Sequence, residues 1–161
     1  MKAWVCCLML LLPFGLGAEQ KAHQHGVASA TLVIDPQGVE WQMDIPADQL
    51  FGFEHAPTTP QQHAVLKAQL EKIQPHLWLV WPDEAQCQLK TAELVLEDTS
   101  SHHHDYVSRA SWQCAEIGPL TQLDIRLFQL TLGLEQLQVQ YITPAGQGSA
   151  TLTPENHRLE F

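Results

Sequence analysis

Cysteine, methionine and basic residues are all scarce in this 161-residue chain, and each shortage argues against a class of function. Of its four cysteines, Cys6 and Cys7 sit in an apolar run at the N-terminus, which leaves only Cys87 and Cys114 for the rest. Two cysteines are too few for a cysteine-rich zinc finger. Beyond the leader the only methionine is Met43, on the apolar face of a predicted strand, so a thioether site for Cu(I) has no ligands. Eight Lys and Arg stand against 18 Asp and Glu, a formal net charge of −10. Such a chain repels nucleic acid and anionic membrane surfaces and attracts cations. The longest apolar run, Ala3 to Leu12, is too short to span a bilayer, so no membrane anchor is expected. His-Glu-x-x-His, Gly-x-Ser-x-Gly and a phosphate-cradling glycine loop are also missing. Gly146-Gln147-Gly148 falls between two predicted strands and reads as a turn. The expectation is a non-catalytic protein.

Met1-Lys2, the apolar run, Pro13 and the small-x-small pattern Gly15-Leu16-Gly17 read as a secretory signal peptide over residues 1–17. Residues 18–161 are then a single secreted domain, long enough for a hydrophobic core. Loss of Lys2 takes the net charge from −10 to −11. In an oxidising compartment the two remaining cysteines should pair with each other.

Antiparallel pairing of Cys87 with Cys114 sets Leu89 opposite Trp112 and Val95 opposite Tyr106 on one face. The other face pairs Leu94 with Val107, Lys90 with Ser111 and Ala92 with Arg109. This is a β-hairpin with a disulfide at its base and His102, His103 and His104 at its tip. Closing the loop stabilises the fold by roughly 3–4 kcal/mol on chain-entropy grounds.

A second hairpin precedes it. Val39, Trp41, Met43 and Ile45 alternate with Glu40, Gln42 and Asp44. Asp35-Pro36-Gln37-Gly38 fits a type I turn that pairs Ile34 with Val39, Leu32 with Trp41 and Ala30 with Met43. That register carries His23 and His25 to the end of the hairpin where Asp48 and Leu50 follow. Thr59, Pro60 and Gln62 start a helix with a capping box; Leu66, Leu70 and Ile73 form its buried stripe, with His63 at the core edge. Leu77 to Trp81 is expected to be extended and buried. Alternation at Leu123, Ile125 and Leu127, at Leu137, Val139 and Tyr141, and around Ala150 and Leu152 completes about seven strands. The fold class is α+β: mainly antiparallel β-sheet or sandwich, with one amphipathic helix and one disulfide-braced hairpin.

Nine histidines are a high usage, and imidazole with carboxylates suits zinc, nickel or Cu(II). Two clusters are candidate metal sites. One is His23, His25, Glu54 and His55; the other is the hairpin tip, His102, His103, His104 and Asp105, with Glu97 and Asp98 as electrostatic support.

Several segments together resemble the ZrgA family. They are His23-x-His25-Gly26, Asp48-x-Leu50-x-Gly52-Phe53-Glu54-His55-Ala56-Pro57 and Arg126-Leu127-Phe128. Thr143-Pro144-x-Gly146-Gln147-Gly148 and Leu152-Thr153-Pro154 complete the set. Members of that family are zinc-binding periplasmic proteins of Gram-negative bacteria. The resemblance implies bound Zn2+ and a role in zinc uptake or buffering, with a zinc importer or its solute-binding protein as partner. Family members often carry a long His/Asp-rich insertion at the hairpin tip, of which His102 to Asp105 remain here. That argues against high-capacity storage. Two other readings stand beside this one: a structural or interaction domain with incidental histidines, and a metal-dependent hydrolase.

Overall fold

A computed structural model of the chain describes residues 24–98 and 104–161. The expected signal peptide, His23, and the tip residues His102 and His103 lie outside the described residues.

The first hairpin forms in the expected register. Strands β1 (Val27–Asp35) and β2 (Gly38–Pro46) pair from Ser29 opposite Asp44 to Asp35 opposite Gly38. The turn is closed by Asp35, whose Oδ1 accepts hydrogen bonds from the backbone N–H groups of Gln37 (2.7 Å) and Gly38 (3.0 Å). Glycine is required at 38 on steric grounds, because a Cβ there would lie 2.2 Å from the Trp112 carbonyl oxygen.

Seven further strands follow among the described residues, making nine where about seven were expected. They are β3 (Leu79–Val80), β4 (Cys87–Asp98), β5 (His104–Cys114), β6 (Gln122–Ile125), β7 (Gln136–Thr143), β8 (Gly146–Leu152) and β9 (Arg158–Glu160). Six of the nine make one sheet in the order β4-β5-β2-β1-β7-β8, and β3-β6-β9 make a second. The pairings are antiparallel except β1 with β7, which run parallel from Val27 opposite Gln136 to Val33 opposite Ile142. Strand β3 is the two-residue part of the expected extended run that pairs, and β9 has three residues, too few for a period-two pattern to register.

The core lies on one face of the large sheet. Leu32, Ile34, Trp41, Ile45, Trp112 and Leu137 point there and join Trp78, Leu123, Ile125 and Leu159 from the small sheet and its lead-in. Trp41 and Trp78 meet edge to face, 5.9 Å between centroids. The other face of the large sheet is polar around Ser29, Thr31, Asp44, Gln138, Gln140 and Ser149. Alternation along each strand produces this split.

The cysteine hairpin forms with the Cys87–Cys114 disulfide at its base and Leu89 opposite Trp112. Beyond Leu89 the expected pairs are wrong by one residue. A β-bulge between Leu89 and Thr91 adds Lys90 to β4, so Val95 faces Val107, Leu96 faces Tyr106 and Ala92 faces Ala110. The bulge moves the core-facing positions of β4 from odd to even numbers, and Ala92 and Leu94 pack against the core.

Three short helices, α1 (Ala47–Phe51), α2 (Pro60–Lys72) and α3 (Pro75–Trp78), lie between β2 and β3. The capping box on α2 forms as expected: the Gln62 N–H donates to Thr59 Oγ1, and Gln62 Oε1 accepts from the Thr59 N–H. Its expected buried stripe forms in part: Leu66 and Leu70 are half-buried against the core and Ile73 is buried at the C-cap, whereas His63 is exposed. Leu77 to Trp81 is not one extended run either. Pro75 starts a helical turn that exposes Leu77 and buries Trp78, whose Nε1–H donates to the Ile73 carbonyl at 3.0 Å.

Candidate metal centre

Proline at the end of β2 has no N–H to extend the ladder, and the chain turns there into α1. Gly52 ends α1 in the left-handed conformation (φ 77°), its N–H bonded to the Asp48 carbonyl at 2.9 Å. This reversal brings Glu54 back beside Asp48. His25 arrives from the other side of the hairpin, one residue before Gly26, whose carbonyl accepts the N–H groups of Glu135 and Gln136. Antiparallel pairing puts the start of β1 next to the end of β2, so His25 meets the α1 turn.

His25 Nδ1 lies 2.9 Å from Asp48 Oδ2 and 3.7 Å from Glu54 Oε1. Ligand atoms of all three residues fall within 4.8 Å of one another. A tetrahedral zinc with Zn–N and Zn–O bonds of about 2.1 Å needs donor–donor edges of about 3.4 Å, between those two distances. Asp48 Oδ1 is buried and has no hydrogen-bond partner, which leaves a carboxylate lone pair for a ligand. One nitrogen and two carboxylates are a donor set that zinc accepts. The residues present therefore fit the ion.

Without metal, a proton on Nδ1 occupies that position. The hydrogen bond to Asp48, with the charges of Asp48 and then Glu54, raises the His25 pKa above its ordinary 6.5. His25 is 78 % exposed, against 19 % for Asp48 and 31 % for Glu54, so the imidazole is the outer wall of the centre.

The hairpin tip joins this centre. β5 pairs with β2 so that Asp105 lies opposite Pro46, and with β4 so that His104 lies opposite Asp98. His104 and Asp105 consequently line the same crevice as His25, Asp48 and Glu54. His25 and Glu54 of one sequence cluster and His104 and Asp105 of the other thus converge on one end of the large sheet. Glu97 faces away from it toward Arg109, whose Nη2 is 3.2 Å from Glu97 Oε1.

His55 is not brought into the three-donor group. Its Nδ1 is 2.8 Å from the Ala56 carbonyl, and its ring stacks on Phe53 with centroids 5.7 Å apart. Adjacent residues on an extended chain point apart, and Glu54 is the one that turns inward. Asp48 is the member that sequence reasoning passed over. Its signal was the six-residue spacing to Glu54 across Gly52, a helical turn and a glycine reversal that fold two carboxylates together.

The motif residue Arg126 has a bracing role. Its N–H donates to the Trp78 carbonyl at 2.8 Å, and its Nε–H donates to Asp124, which also holds His157 Nδ1 at 2.8 Å. These contacts tie β6 to α3 and to the approach to β9.

No helix among the described residues is long and apolar enough to cross a membrane. The disulfide points to an oxidising, extracytoplasmic compartment. Comparison with curated proteins returned no match. The sequence profile described as ZrgA family zinc uptake protein matches residues 22–161, nearly the whole chain. The chain belongs to the ZrgA family of zinc uptake proteins.

Proposed function

We propose that the protein is a non-catalytic periplasmic accessory in zinc uptake, which binds Zn2+ at His25, Asp48 and Glu54. His104 and Asp105 form the outer rim of the centre, and His23, His102 and His103 supply additional weak binding. One observation carries this reading: His25 Nδ1 lies against two carboxylates at 2.9 and 3.7 Å, with a buried, unbonded Asp48 oxygen beside it. The zinc-uptake description of the family supports the choice of ion and the absence of turnover.

The partner is a zinc importer or its solute-binding protein. An exposed imidazole on the outer side suits exchange of the ion with an incoming ligand, because an open position lets the new donor bind before the old ones leave. An acidic surface, from a net charge of −10, draws zinc toward the centre.

Titration of the metal-free protein with Zn2+ against a chromophoric chelator tests the reading. One tight equivalent in the parent, weakened at least tenfold but still measurable in Asp48→Asn, is the expected result. An Asp48→Asn variant that binds like the parent would remove the centre from this location, and a parent that binds no zinc would leave an interaction domain with incidental histidines.

A further inference from the structure

Gln49 is one of the few polar residues of the core, only 5 % exposed, yet it contributes little there as a hydrogen-bonding group. Its side-chain Oε1 is buried without a hydrogen-bond partner. An amide half satisfied in an apolar surrounding destabilises a fold, and a leucine of similar volume would avoid the cost. The other half of the amide is engaged. Nε2–H donates to Asp48 Oδ2 at 3.0 Å, the same oxygen that His25 Nδ1 approaches at 2.9 Å. Reversing the amide would set Oε1 against the carboxylate, so the charge of Asp48 determines the orientation.

The position of Gln49 is set from behind. Its backbone carbonyl accepts the Leu132 N–H at 2.6 Å, so the loop through Leu132 holds this residue in place. The same loop is anchored a second time, by Gln69 Nε2–H on the Leu130 carbonyl. A clamp thus runs from the loop through Gln49 to the carboxylate.

We infer that Gln49 is the positioning residue of the metal centre: it holds Asp48 in the ligating orientation when zinc displaces the proton shared with His25. Zinc binding removes the His25 hydrogen bond from Oδ2, and the Gln49 bond is the one on that oxygen that the ion need not displace. Outer hydrogen bonds of this kind on ligating groups are worth ten- to hundredfold in metal affinity. This inference rests on the centre proposed above.

The test is a double-mutant cycle on the full chain, with Zn2+ affinity read by chelator competition. Gln49→Leu should weaken binding ten- to hundredfold while the metal-free melting temperature stays equal or rises. In the Asp48→Asn background the same change should alter affinity less than twofold. The visible spectrum of the Co2+ form should shift in Gln49→Leu, since a reoriented carboxylate alters the ligand field. Should Gln49→Leu fail to fold, Gln49→Met removes the donor with less change of shape. A Gln49→Leu protein that binds within twofold of the parent, with Asp48→Asn clearly weakened, would overturn the inference and leave the centre standing. So would an equal loss in both backgrounds, because the effect would then not pass through Asp48. Parent-like binding by Asp48→Asn would overturn the centre and the inference together.

Discussion

Asp105 lies opposite Pro46 across the β2–β5 ladder, though 59 positions separate them in the chain. That pairing carries His104 and Asp105 of one hairpin to the mouth of another, beside His25, Asp48 and Glu54. The proposed centre thus has an inner set of donors and an outer rim, and its parts can be tested separately.

His25→Ala should cost at least tenfold in zinc affinity and leave the metal-free protein folded, since the side chain is 78 % exposed. His55→Ala should change affinity less than threefold, because its Nδ1 faces the Ala56 carbonyl and its ring packs on Phe53. Isothermal titration of the two variants beside the parent ranks them. The reverse ranking would identify His55 as the ligand.

Zinc and proton compete for His25 Nδ1, and Asp48 and Glu54 raise its pKa above 6.5. Because the folded-state value is raised, the protonated His25–Asp48 pair stabilises the metal-free fold fully below pH 6.5. That contribution disappears as pH rises through the raised value. Zinc affinity runs the other way and falls as pH drops through the same range. Between pH 7.5 and 5.5 the loss should be roughly tenfold or more for one competing imidazole. Titrations at the two pH values, with NMR of the His25 ring in the metal-free protein, check both signs. A flat affinity would mean that carboxylates alone hold the ion.

His104 lines the crevice from the rim. His104→Ala should weaken the tight equivalent about three- to tenfold, less than His25→Ala, and the mutation of His102 and His103 should reduce only weaker binding. Loss of the tight equivalent on removing His102 and His103 would show that the tip is the principal site.

The disulfide joins Cys87 and Cys114 at the end of the β4–β5 ladder away from His104 and Asp98. Replacing both cysteines with serine should lower stability by about 2–4 kcal/mol in urea unfolding. Zinc affinity should stay within threefold, because pairing with β2 holds the tip independently of the bridge. A large loss of affinity would show that the base sets the geometry of the tip.

Local chemistry made much of the fold legible. Asp35-Pro36-Gln37-Gly38 between alternating strands determined the first hairpin and its register, and Thr59, Pro60 and Gln62 determined the start of α2. The two cysteines were enough to pair the base of the second hairpin. Its upper register was not legible, because Lys90 gives no sign of being the extra residue in a bulge; the choice depends on which β4 residues reach the core formed by other strands. Burial of α2 was only partial, with Leu66 and Leu70 half-buried against the core, for a related reason. Periodicity marks an apolar stripe, but whether another surface covers it is decided elsewhere in the chain.

The candidate site divides the same way. Sequence alone singled out His25 and Glu54 as donors and His104 and Asp105 as a tip, since residue type and spacing are local properties. It could not show that tip and lead-in share one crevice, that Asp48 turns inward where His55 turns out, or that a buried glutamine holds Asp48. Those depend on strand order, β5 beside β2 beside β1, and on the left-handed reversal at Gly52, which set directions in space that a linear pattern does not carry.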